Sequence, residues 1–130
     1  MKYTRGFTVI ELLIVVVLLI AASMLFFIQK SNGEVASRDE MRKTSINAMY
    51  YSLEEVYFKE KQAYPRVLNS DILPSVDPEL FKDPTGVKIG EADSDFSYEG
   101  SNCTGDSCKA YTLRTTLQNE DDYIKTNRNK

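Results

Sequence analysis

The sequence predicts an α+β chain, in which a long N-terminal spine helix packs on a small antiparallel β-sheet head. Three observations carry this. Residues 12–28 contain no charge. Residues 34–62 contain no proline and place apolar side chains at helical offsets. Two later stretches alternate in polarity on either side of a segment rich in turn residues.

Residues 7–28 are long enough to span a bilayer, since a helix needs about 20 apolar residues to cross the hydrocarbon core. Lys2 and Arg5 precede the run, and the positive-inside tendency keeps them cytoplasmic and sends the remainder outward. An ordinary secretory signal has a shorter apolar region, followed by a small-residue cleavage site. Ala21-Ala22-Ser23 imitates such a site, but apolar residues continue through Ile28. A cleaved signal and a simple uncleaved anchor are the two plain readings, and neither accounts for Glu11. An acid at the centre of a membrane helix costs about 2.5–3.5 kcal/mol, and less near the interface. It calls for a cationic partner, which the apolar run does not contain.

From 34 to 62 the apolar residues Ile46, Met49/Tyr50, Leu53 and Val56/Tyr57 mark an amphipathic helix whose stripe reads as core. Ser37-Arg38-Asp39-Glu40 fits a capping box and permits a fresh helix start there; the alternative is one unbroken helix from about residue 8 to 61. Tyr64-Pro65 ends the helix, because the residue before proline disfavours helical backbone. Residues 65–86 carry all four prolines and no clear period, so they read as an ordered connector with a turn at Asp83-Pro84-Thr85-Gly86.

Residues 94–99 alternate around Phe96 and Tyr98, and 110–117 through Tyr111, Leu113 and Thr115. They predict a hairpin whose tip is "GSNCTGDSC", with a third strand near 86–90. The sheet's apolar face is expected to pack on Ile46, Leu53 and Tyr57. Tyr123-Ile124 is the only apolar anchor of the tail, which is expected to fray after about residue 126.

Composition narrows function. The chain has 130 residues, a net charge of −3 and no histidine, so it lacks both the basic excess of a nucleic-acid binder and the commonest general base. No nucleophile–base constellation and no glycine-rich phosphate loop occurs, and no enzyme activity is expected. Cys103 and Cys108 lie in the part that would be exported, where an even cysteine count favours a disulfide. With so short a loop, the bridge is worth about 2 kcal/mol and is expected to stiffen the tip more than the whole fold. Two thiolates without histidine do not complete a zinc site. Asp93, Asp95, Glu99 and Asp106 could gather oxygens around calcium, but that ion needs six to eight, and solvated turn acids are the better account. Glu120-Asp121-Asp122 reads as an exposed charge cluster. Asn102-Cys103-Thr104 satisfies a glycosylation sequon whose use at a disulfide-closed tip is not expected.

Gly6-Phe7-Thr8-Val9-Ile10-Glu11, behind basic residues and ahead of the apolar run, resembles the class III leader of type IV pilins and pseudopilins. The resemblance implies cleavage between Gly6 and Phe7 by a prepilin peptidase, N-methylation of Phe7, and pairing of Glu11 with the N-terminal amine of a neighbouring subunit. The helix-bending proline of many major pilins is absent. Tyr64-Pro65, Leu68/Leu73 and Lys82-Asp83-Pro84 look like the connector of type II secretion pseudopilins, and 111–117 like a closing pilin strand.

The implied organisation is a leader at 1–6, a transmembrane and assembly helix at 7–30, and the amphipathic helix of the head at 31–63. Connector and sheet come next at 64–126, with a frayed tail at 127–130. The implied partners are other pilins, the peptidase, a platform protein with its assembly ATPase, and the membrane before assembly. No cofactor and no nucleic acid are expected, and the filament would lie at the cell surface. Leader removal leaves 14 basic against 19 acidic residues, a balance of −5. A secretion or DNA-uptake pseudopilin is the alternative within the class; a membrane-anchored binding domain is the alternative outside it.

Overall fold

The computed structural model describes residues 6–129, so most of the expected leader, including Lys2 and Arg5, and Lys130 of the expected tail lie outside the described residues. The chain divides into two compact units between Val35 and Ala36. Helix α1 (Val9–Ser52) passes from the first into the second.

In the first unit Thr8 caps α1. Its carbonyl accepts the Leu12 N–H at 3.1 Å and its Oγ1 accepts the Glu11 N–H at 3.3 Å. Thr8-x-x-Glu11 thus has the spacing of a capping box and its first bond. From Phe7 to Ile28 every large apolar side chain is exposed, by 45–79%. Ser23 donates to the Leu19 carbonyl at 2.8 Å, so the one hydroxyl of the uncharged stretch 12–28 is satisfied within the helix.

In the second unit α1 continues through Ser37–Glu40, so of the two possibilities the unbroken helix is the one that forms. The capping box there is unused, because no proline interrupts the backbone and Gly33 costs a helix only about 1 kcal/mol. The helix buries Asp39, Arg42, Ser45, Ile46, Met49 and Ser52. Leu53–Tyr57 then form a π-helical turn, succeeded by α2 (Phe58–Lys61). The wider turn takes one more residue per hydrogen bond and changes the facing of the side chains along it. Glu54 therefore turns inward, 2% exposed, and Val56, expected in the core, is 48% exposed. Gln62, at φ 55°, closes the helix with its N–H on the Phe58 carbonyl at 2.8 Å.

Four strands form one antiparallel sheet: β1 (Tyr64–Pro65), β2 (Phe96–Thr104), β3 (Ser107–Thr115) and β4 (Tyr123–Thr126). β3 is central, with β2 along one edge and the short β1 and β4 sharing the other. The core joins Ile46, Met49 and Leu53 of the helix to Phe96, Tyr111 and Leu113 of the sheet, with Leu68, Leu73, Val76 and Phe81 of the connector closing over it. Tyr57 packs partly buried against this cluster, so the expected helix–sheet face is present.

In and beside the sheet the structure differs from expectation in three places. No strand forms near 86–90: an isolated bridge joins Lys82 to Lys88, because Gly86 and Gly90, both at φ 89°, turn the chain too tightly. The hairpin tip is two residues, Gly105-Asp106, rather than a decorated loop, with Gly105 at φ 63° in the first position, where a type II′ turn needs positive φ. The 111–117 stretch does not close the sheet, since β4 comes after it and pairs with it.

Candidate assembly helix and head sites

Gly6, Phe7 and Glu11 fall at the start of α1. Phe7 is 79% exposed, and Glu11 stands one helical turn beyond it on an exposed surface. Its side chain makes no hydrogen bond or ion pair among the described residues. A Cβ added at Gly6 would meet nothing within 4 Å, and Gly6 does not require a left-handed backbone. The fold places no steric demand for glycine there. The helix extending from Val9 is long and apolar enough to cross a membrane.

Cys103 and Cys108 form the expected disulfide, with Cα atoms 3.9 Å apart across the β2–β3 ladder. Its surroundings were not expected. Core-facing positions on both strands shift by an odd number, from Gly100 to Cys103 and from Tyr111 to Cys108, so each strand flips phase between them. Asn102, at φ 52°, accommodates the flip on β2. The bridge therefore folds inward, Cys108 is 1% exposed, and it joins the core beside β1. A Cβ at Gly100 would sit 2.7 Å from Cys108 Sγ and 3.2 Å from the Pro65 carbonyl. Gly100→Ala is expected to destabilise the head by about 1–3 kcal/mol, the usual cost of overpacking. Thermal melting checks this, and an unchanged midpoint would refute the tight approach. Asn102 of the sequon is exposed beside the bridge.

The acids considered for calcium do not converge. Asp95 Oδ2 accepts from Arg42 Nε at 3.0 Å and Nη2 at 2.8 Å, Asp106 sits in the hairpin turn, and Glu99 lies opposite Thr112. Among the described residues no group of three acids, cysteines or histidines could hold a metal. In the acidic cluster Glu120 pairs with Lys43 at 2.8 Å, and Asp122 lies 3.8 Å from Arg114.

Three buried acids went unrecognised in the sequence, and each fastens one part of the head. Asp39 accepts the N–H groups of Gln118 (3.0 Å) and Asn119 (3.0 Å) and the Arg42 guanidinium (2.9 Å), tying the loop after β3 to α1. Burial pushes its carboxyl up, but these donors outweigh burial and hold it below the ordinary carboxylate range. Asp83 accepts from Thr85 N–H and Oγ1, Val87 N–H and Asp95 N–H, which shapes the connector turn. There too burial raises the carboxyl and the donors together lower it.

Glu54 accepts from the hydroxyls of Tyr64 (3.0 Å) and Tyr111 (2.9 Å), the Arg128 N–H (3.0 Å) and Asn129 Nδ2 (2.9 Å). The tail expected to fray is thus fastened through Asn129. Asn-Glu spacing gave no sign of this; for Asp83 the DPTG turn, read only as a turn, is the local signal from which a bond to its own loop could have been inferred.

Among the described residues the head carries a groove of about 470 Å³ between the 37–45 face of α1 and the 79–86 turn, lined mostly by apolar atoms. No family model, curated protein or solved structure matches this chain.

Proposed function

We propose that this chain is a structural subunit of a type IV pilus-like filament, trimmed between Gly6 and Phe7 and assembled through its apolar helix. The observation that carries the reading is Glu11, an acid without a partner among the described residues, on a wholly exposed apolar helix one turn after Phe7. Cleavage would place a cationic amine on Phe7, and a neighbouring subunit's amine would then neutralise Glu11 within the apolar bundle. Breaking such a buried pair costs about 3–5 kcal/mol, enough to make registration of adjacent helices depend on it. The head would face solvent, with its charge balance acidic.

Intact mass and N-terminal sequencing of protein from native membranes or shed filaments test the proposal. A start at methylated Phe7 is expected. A start at Met1 would leave a membrane-anchored domain, and a start near Met24 a conventionally exported one; either removes the filament reading. Gly6→Ala is expected to leave the head's melting temperature unchanged while abolishing the Phe7 start.

A further inference from the structure

We propose that the heads of adjacent copies make a head-to-tail contact in which Arg66 and Val67 of one copy enter the groove beside Glu40 and Met41 of the next. This rests on the filament reading for its setting, but its chemistry is separate. The groove is walled by Met41, which is 51% exposed, Thr44, Leu80 and Pro84. Its lining carries three carboxylates, Glu40, Glu79 and Asp83, against one ammonium, Lys82. Lys82 is engaged by Glu79 at 2.7 Å, and Asp83 is spent on its own loop, whereas Glu40 makes no ion pair among the described residues. An occupant should therefore present an apolar side chain next to a cation.

The turn after β1 offers that pair on the same chain. Val67 is 61% exposed, an aliphatic side chain set in water between exposed Arg66 and buried Leu68. The Arg66 N–H bonds the Asp106 carbonyl at 3.1 Å and its Nη1 the Gly105 carbonyl at 3.2 Å, which props the side chain against the hairpin turn. No carboxylate pairs with this guanidinium among the described residues, and its remaining N–H groups are available to one.

The placement decides what kind of contact results. Groove and knob sit at opposite ends of the head's helix, since Met41 and Gln62 are separated by ~30 Å at 1.5 Å per residue. The two surfaces cannot meet within one head, and two copies sharing one such contact each retain an unused groove or knob. A heterologous contact of this type propagates from copy to copy, into a ring where the rotation between copies closes and into an open helical assembly where it does not; the filament reading requires the second. Neutralising Glu40 with Arg66 also relieves repulsion between heads that would otherwise bring acidic surfaces together.

Self-association of the full chain with its leader retained, in neutral detergent at low salt, tests this by sedimentation equilibrium. With the leader in place no Phe7 amine exists, so pairing of Glu11 with that amine does not supply the signal, and any association through the apolar helix is common to the parent and all variants. Glu40→Arg, Arg66→Glu and Val67→Asp are each expected to weaken association at least tenfold, and Glu40→Arg combined with Arg66→Glu to restore it to within about threefold of the parent. All four alter exposed side chains, and unchanged near-ultraviolet dichroism verifies their folding. Single variants that associate like the parent, a double variant no better than the singles, or a parent that stays monomeric would overturn the contact. The filament reading is scored separately by the N-terminal residue. A Phe7 start without the charge-swap pattern keeps the filament and removes this contact, whereas the pattern with a Met1 start keeps the contact and removes the filament.

Discussion

Glu54→Ala is expected to destabilise the head by about 3–5 kcal/mol, lowering its melting temperature by more than about 10 °C. The carboxylate is the acceptor for two phenols, one backbone N–H and one amide, and Tyr64 and Tyr111 are 0% and 1% exposed. Truncation leaves the Tyr111 hydroxyl buried without a partner and the Tyr64 hydroxyl with only the long 3.5 Å contact from Asn129 Nδ2, each lost acceptor costing about 1–3 kcal/mol, while the Arg128 N–H can turn to water. Glu54→Gln keeps an acceptor oxygen but sets an amide N–H₂ against other donors, so a smaller loss of about 1–2 kcal/mol is expected. Hydrogen exchange distinguishes this account from a general loosening. In Glu54→Ala, protection should fall first in β4 and residues 127–129, before the β2–β3 pairing. If the melting midpoint moves by less than a few degrees, the clasp contributes nothing and this reading is wrong.

The second large effect is expected at Asp39. Asp39→Ala should cost about 3–5 kcal/mol at neutral pH, because Arg42, only 3% exposed, loses one of its two carboxylates and the Gln118 and Asn119 N–H groups lose their acceptor. The same residue shapes the response to acid. Asp39 and Asp83 are both held below the ordinary carboxylate range in the folded head. The folded state therefore binds protons less readily than the unfolded chain. Stability from these two groups is complete above their unfolded value of about 3.9 and is lost as pH falls through their lower folded values. The head should hold its melting temperature down to about pH 5 and lose it steeply below about pH 4. Asp39→Asn should start less stable and show a shallower acid slope. An acid slope as steep as that of the parent would show that other groups carry it.

Much of the architecture is legible in the chain as written. The uncharged run, the helical offsets of Ile46, Met49 and Leu53, and the alternation around Phe96, Tyr98, Tyr111 and Leu113 are local patterns with known periods. Each forms the element it indicates. The cysteines pair as their number and setting indicate. The missing strand at 86–90 has a local cause, the left-handed backbone of Gly86 and Gly90, whereas the other errors depend on how the chain packs beyond its local pattern. Val56 fits the helical spacing, yet a single π-helical turn rotates it outward and brings Glu54 in. The hairpin tip reads as loop because turn-forming residues dominate it, yet the ladder to β3 and the packing of β1 draw those residues into strands. The tail reads as unanchored because its partner is a carboxylate more than seventy residues earlier.

The sequence by itself determined that an apolar helix forms near the N-terminus, because the uncharged run at 12–28 is a local pattern that needs no tertiary partner to be read. It determined the α+β class for the same reason, since side-chain periodicity is a property of neighbouring residues. Only the tertiary structure decided where buried charge goes. Asp39, Glu54 and Asp83 look in the sequence like the solvated acids around them. They differ in the set of donors the fold brings to each, and without those donors burial would be too costly to occur.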